Sequence, residues 1–207
     1  MHLKAVVIFF LLIMFPNTVL CADVETVLME VEKNMSNIKT VQASFIQKKN
    51  MVMFDMPVII KGEFKIQNPD NFSWTVLEPV EYKLIITKEN IIKWEKSTGT
   101  QKMSLKENPM FKEMISQITF WFSGAYATCT KDYTVKLIKT SPAVLNFIPK
   151  EHNPVSNMLT GVTLTFQDNK KYINKIQLFE KNGDSTELLF NNVKINSEIK
   201  NSAWRIE

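Results

Sequence analysis

Cysteine and histidine are scarce, and the scarcity removes most metal and nucleophile chemistry. The 207 residues hold two of each. Cys21 and His2 lie in the first 21 residues, so Cys129 and His152 serve everything after them. One thiol cannot close an internal disulfide, and two such ligands fall short of a structural zinc site. The chain has no G-x-S-x-G, no His–Glu metal spacing and no Gly-rich phosphate loop. His152 sits in the Pro-flanked loop Pro149 to Pro154, where an imidazole is solvated far more often than catalytic. Carboxylates mostly stand beside lysines at wet strand positions. No enzyme, metal or cofactor is expected.

Arginine is nearly absent too: Arg205 is the only one. Bidentate clamps on phosphate or carboxylate therefore lack their usual residue. Loss of Lys4 with a leader would leave 24 basic and 21 acidic residues, a net charge of +3. No cluster of Lys and Arg marks a nucleic-acid footprint, so no nucleic-acid partner is expected.

Long apolar runs are missing except at the start. Lys4 precedes the uninterrupted apolar stretch Ala5 to Phe15, and Pro16-Asn17 breaks it. Val19-Leu20-Cys21 then offers a peptidase site, which predicts a secretory signal peptide over 1–21 cleaved near Cys21 or Ala22. An uncleaved anchor is the rival reading, although the stretch is shorter than the about 20 apolar residues that span a bilayer. Lipidation of Cys21 is disfavoured by the bulky Leu20. Residues 22–207 are expected to form one soluble domain with no linker or repeat.

What is present is pattern. Asp23 can cap a helix to about Ile38, with Val24, Val27, Leu28, Val31, Met35 and Ile38 on one face. After Lys39 the period becomes two. Val58, Ile60, Gly62, Phe64 and Ile66 alternate with polar residues, as do Phe72, Trp74 and Val76, then Val80, Tyr82, Leu84 and Ile86. Ile92 and Trp94 oppose Lys93 and Glu95, and Met103 and Leu105 follow. Such alternation means antiparallel strands with one apolar face. Pro109 opens a second helical pattern through Met110, Phe111, Met114, Ile115 and Ile118, which Gly124 ends. Strands resume at Tyr133–Ile138, Val144–Ile148, Val162–Phe166, Ile173–Phe179 and Thr186–Ile195. Lys181-Asn182-Gly183-Asp184 predicts the last hairpin. The expected class is mainly β with helices (α+β).

Aromatic and methionine side chains are the unusual resource. Phe45, Phe64, Phe72, Trp74, Tyr82, Trp94 and Phe166 fall on apolar strand faces, Met110, Phe111 and Met114 ride the inserted helix, and Met51, Met53, Phe54 and Met56 crowd an early loop. Each alone reads as ordinary core. As a set they read as a greasy cleft under a lid, with methionine suited to varied apolar shapes.

The order of elements resembles the periplasmic outer-membrane lipoprotein carrier (LolA) family. The resemblance rests on Val41-Gln42-Ala43-Ser44-Phe45-Ile46-Gln47, Gly62-Glu63-Phe64 and Asn68-Pro69-Asp70-Asn71-Phe72-Ser73-Trp74. It continues through Pro79, the Leu84 to Trp94 hairpin, Asn146-Phe147-Ile148-Pro149-Lys150 and Gly183 through Asn196. It implies a strongly curved antiparallel sheet forming an unclosed β-barrel, covered by the N-terminal helix and the inserted helix. It also implies a monomeric periplasmic carrier, which takes the acyl chains of lipid-anchored proteins from an inner-membrane ABC transporter to an outer-membrane acceptor. By position, Phe45, Phe64, Phe72, Trp74, Tyr82 and Trp94 would line the sheet side of the cavity, and Met110, Phe111 and Met114 the lid. Two departures bear on release: Asn68 stands where many members place a basic residue that helps hold the lid, and the chain stops soon after Trp204. The same fold resembles the ligand-sensing half of a periplasmic stress regulator, so a sensing role is the alternative.

Overall fold

The computed structural model describes residues 23–126 and 128–206, with the side chains at 110 and 113–115 outside that description. The leader at 1–21 therefore lies outside the described residues. Helix α1 (Val24–Met35) begins as expected: the Asp23 carboxylate accepts from the Thr26 N–H at 2.7 Å. Val27, Leu28, Val31 and Met35 form its buried stripe. The helix stops three residues before Ile38, but Ile38 is buried all the same.

Eleven antiparallel strands follow: β1 (Thr40–Asn50), β2 (Val58–Gln67), β3 (Asn71–Glu78), β4 (Tyr82–Ile86), β5 (Asn90–Glu95) and β6 (Gly99–Ser104), then β7 (Tyr133–Thr140), β8 (Ala143–Pro149), β9 (Leu159–Phe166), β10 (Ile173–Glu180) and β11 (Ser185–Ile195). They make one sheet in the order β6-β5-β4-β3-β2-β1-β11-β10-β9-β8-β7. Every hairpin pairs neighbours in sequence, and β1 joins β11 at the centre. The edges are β6 and β7, which do not pair with each other, so the barrel is unclosed.

That order fixes where the inserted helix goes. Strands β6 and β7 are consecutive in sequence but lie at opposite edges, so the chain between them must cross the sheet. Helix α2 (Pro109–Ser123) makes the crossing, with Pro109 in its first turn and Gly124 ending it at φ 71°. A left-handed φ favours glycine. Space requires it as well, because a Cβ there would stand 2.5 Å from the Met35 Cβ of α1.

The core lies between the helices and one face of the sheet. Directly paired residues of antiparallel strands share a face. The inward rows Phe190–Phe45–Gly62, Ala43–Phe64–Trp74–Leu84 and Ile66–Phe72–Ile86 run across the first half. Phe147–Val162–Leu178 and Leu145–Leu164–Ile176–Leu188 cross the second. Helix α1 sits over the β7 side, tied down by Lys170 Nζ to Glu30 at 2.7 Å. Among the described residues no helix is long and apolar enough to cross a membrane.

Candidate functional site

The concave face is a continuous aromatic surface, and a single bare position organises its centre. Phe45 pairs with Gly62, where a Cβ would lie 2.7 Å from the Phe45 ring and 2.0 Å from the Thr75 carbonyl oxygen. Without that Cβ the Phe45 ring leans across β2 and stacks on Trp74 of β3, centroids 3.8 Å apart. Phe64 and Phe72 flank Trp74 at 6.4 and 6.3 Å. Phe45, Phe64 and Phe72 are buried, while Trp74 is partly exposed at the surface of this cluster.

Tyr82 continues the row on β4, half-buried. Burial pushes its phenol pKa up; the Lys93 ammonium, 5.8 Å from the ring, works against that shift and Glu95 adds to it. Lys93 and Glu95 form an ion pair, and its hydrogen bond raises the lysine pKa.

Trp94 is a correction. It pairs with Lys83 and Thr100, whereas Tyr82 pairs with Glu95 and Leu84 with Lys93. The inward face of β5 is therefore Ile91, Lys93 and Glu95, and Trp94 lies on the outward face with Ile92. The physical reason is that β4 and β5 are apolar on both sides. Ile85, fully buried, faces outward and pairs with Ile92. Alternation within β5 alone could not say which side met the core.

Phe166 is buried, but in the other half of the sheet. There it meets Tyr126 at 6.2 Å, and Tyr126 meets Phe147 at 5.6 Å. Phe111 on α2 is half-buried against the core. Met110 and Met114 belong to α2, and their side chains lie outside the described residues.

The residues that join the two halves were not singled out by sequence. Three consecutive aromatics end α2. Phe122 reaches Phe64 at 5.2 Å and Phe190 at 5.6 Å. Trp121 turns the other way, to Phe147 at 5.0 Å and Tyr133 at 5.5 Å. Phe120 stacks toward Tyr133 at 6.1 Å. The end of α2 is thus a wedge that fills the concave interior with its own rings. The signal was available, since successive helical residues are 100° apart and three aromatics in a row leave no polar face. Such a helix end must be wrapped on several sides. Buried Tyr126 donates its hydroxyl hydrogen to the Trp121 carbonyl, pinning the wedge.

Asn68, where many family members place a basic residue, ties down the α1–β1 junction. Its side-chain amide donates to the Ile38 carbonyl at 2.9 Å and its backbone N–H to Lys39 O at 2.9 Å. The methionine-bearing loop between β1 and β2 is on the surface, with Met53, Phe54 and Met56 exposed. His152 is exposed beside Asp132 at 3.3 Å. Among the described residues no group of three or more His, Cys, Asp or Glu could hold a metal ion.

An open antiparallel half-barrel with a crossing helix plugged into its concave face is a distinctive architecture, and comparison with known proteins agrees. The family model for the outer membrane lipoprotein carrier protein LolA matches residues 36–207. The chain belongs to the LolA family. Among solved structures, an uncharacterised conserved protein from Thermus thermophilus is similar at 10% identity, with 88% of this chain, 93% of that one and a TM-score of 0.54. The Pseudomonas aeruginosa MucA/MucB complex matches at 10% identity and TM-score 0.52, over 90% of this chain but 62% of that one. The Mycobacterium tuberculosis lipoprotein LppX matches at 10% identity and TM-score 0.51, over 86% and 99%. At such identities these three show the fold alone. Curated proteins yield no match.

Proposed function

We propose that this LolA-family chain is a periplasmic carrier that takes the acyl chains of lipid-anchored proteins into its concave interior. The reading is of binding rather than catalysis. The observation that carries it is the aromatic surface of Phe45, Phe64, Phe72 and Trp74, covered by a single crossing helix whose rings occupy the space a ligand would fill. Tyr82 and Phe166 extend the surface on the sheet side, and Met110, Phe111 and Met114 are assigned to the lid. In this reading the leader is removed near Cys21 or Ala22, and the rest works as one monomeric unit between an inner-membrane ABC transporter and an outer-membrane acceptor.

Magnitudes favour exchange. Displacing Trp121 and Phe122 gives up about 1.5–3 kcal/mol of burial for each ring. A buried acyl chain gains about 0.8 kcal/mol per CH₂, so roughly four to eight methylenes offset the loss. A 16-carbon chain exceeds it, and a short one does not. The carrier should therefore stay shut until a long chain arrives.

The MucA/MucB structure motivates a second reading, in which the fold senses a lipid or lipoprotein and engages a regulatory protein. Depletion separates the two. Loss of a carrier leaves outer-membrane lipoproteins stranded at the inner membrane before transcription changes, and the reverse order supports the sensor. If neither follows, and protein isolated from its native periplasm carries no lipid or lipoprotein, both readings fail.

A further inference from the structure

The outward face of the sheet bears a cleft, separate from the aromatic interior. After β11 the chain folds back over that face as a strap. Asn196 accepts from the Lys39 N–H at 2.7 Å and donates its own N–H to Thr40 O at 2.9 Å. Thr40 Oγ1 donates to Ser197 O at 2.7 Å, and the Gln42 amide donates to Ser197 Oγ at 2.8 Å and Glu198 O at 3.1 Å. A short 3-10 turn (Asn201–Trp204) then packs on β3, and Lys83 Nζ donates to the Arg205 carbonyl at 3.2 Å.

Between strap and sheet lies a cleft of about 550 Å³, within the usual range for small-ligand sites. Its floor is set by register: Lys194 pairs with Gln42 and Gln42 with Lys65, so the three stand side by side on β11, β1 and β2. Lys83 joins them from β4, and Lys200 and Arg205 from the strap. Five cations face one lining carboxylate, Glu198. Glu63 reaches Lys65 from outside the lining at 3.7 Å. Among the described residues Lys194, Lys200 and Arg205 make no ion pair. The cleft's four net positive charges exceed the +3 that the chain keeps without its leader, so the rest of that chain carries a net charge of −1.

Cations drawn from four separate segments repel one another, and the repulsion falls when a compact anion of high charge enters. Ammonium groups are hydrated point charges suited to the several oxygens of a compact phosphate, and Arg205 adds one guanidinium fork, which matches phosphate geometry as well. Ser202 and Ser197 supply neutral hydroxyls at the same cleft. We propose that this cleft binds a multiply charged phosphate group, either free or carried on a lipid headgroup. The site is independent of the acyl-chain reading and stands or falls without it.

The test uses the full-length protein purified from the periplasm, and the double variant Lys194→Gln/Lys200→Gln, whose residues play no part in the concave interior. Pyrophosphate titration reports a free anion; flotation with cardiolipin/phosphatidylcholine vesicles, against phosphatidylcholine alone, reports a headgroup. Saturable binding in either arm, weakened about tenfold or more in the variant and by added salt, is the expected result. Binding in the vesicle arm alone assigns the headgroup. The proposal is overturned if neither arm binds, if the variant binds as tightly as the parent, or if a glutamate-rich peptide competes as well as pyrophosphate. Binding of a fluorescent acyl probe should be the same in both proteins, which keeps this outcome separate from that of the carrier reading.

Discussion

Shortening Phe122 to alanine should weaken the fold and tighten acyl-chain binding at the same time. Phe122 is 6% exposed and bridges Phe64 on β2 and Phe190 on β11. A buried Phe→Ala change costs about 3–5 kcal/mol through lost transfer energy and the cavity it leaves. The ring makes those contacts only while α2 is seated. In the displaced form it contributes nothing, so the substitution removes the same energy from the seated form alone. Apparent affinity is reduced by the fraction of molecules competent to bind. Taking back about 3 kcal/mol raises affinity by up to about 150-fold, less once the seated form no longer dominates. Displacement of a fluorescent 16-carbon acyl probe measures the affinity, and urea unfolding measures stability. Ile85→Ala is the control, since Ile85 is fully buried on the outward face; it should lower the urea midpoint and leave acyl affinity alone. If Phe122→Ala folds, loses stability as expected and binds the probe no tighter than the parent, α2 does not hold the site shut and the reasoning is wrong.

Three further outcomes follow from local chemistry. Gly62→Ala puts a Cβ 2.0 Å from a backbone carbonyl and 2.7 Å from the Phe45 ring, so melting should reveal a loss of about 1–3 kcal/mol or more; a neutral result would show that β2 and β3 can part. Burial, reinforced by Glu32 and Asp132, pushes the Cys129 thiol up to about 11. At pH 8 its thiolate fraction is about 100-fold below that of an ordinary thiol, so a disulfide reagent should modify it only as fast as the protein opens, and stability should fall as pH rises from 9 toward 11. Hydrogen bonds from Thr26 hold the Asp23 carboxyl below its usual 3.8, so its cap stabilises α1 above that pH and is lost as pH falls through the lowered value. Asp23→Ala should therefore lower the melting temperature at pH 7, with the difference from the parent closing in acid.

Much of this fold was legible because its parts are locally specified. Asp23 and Gly124 mark helix ends, the alternation in β2 and β3 marks inward faces, and Gly183 marks a turn with φ 91°. Phe45, Phe64, Phe72 and Trp74 fell on the interior face because each strand there has one polar side. Trp94 failed where that condition fails: β4 and β5 carry apolar residues on both faces, and only pairing to Lys83 reveals the side. The run of aromatics behind the Trp121 and Phe122 wedge was visible, but its role was not. Its importance comes from β6 and β7 lying at opposite edges, a property of the whole sheet that no short window contains. The outward cleft is similarly nonlocal, since its lysines are scattered from position 65 to 200 and meet only through register and the strap.

The central claim is that acyl chains enter the concave side beside Trp74 and not the outward side. A photo-crosslinking residue placed at Trp74 or at Trp94, with the protein expressed in its native cell, tests it directly. The account predicts a lipid-anchored adduct from position 74, released by removing the acyl chains, and none from position 94. Adducts from 94 alone, or none from 74 in a folded and exported protein, would contradict it.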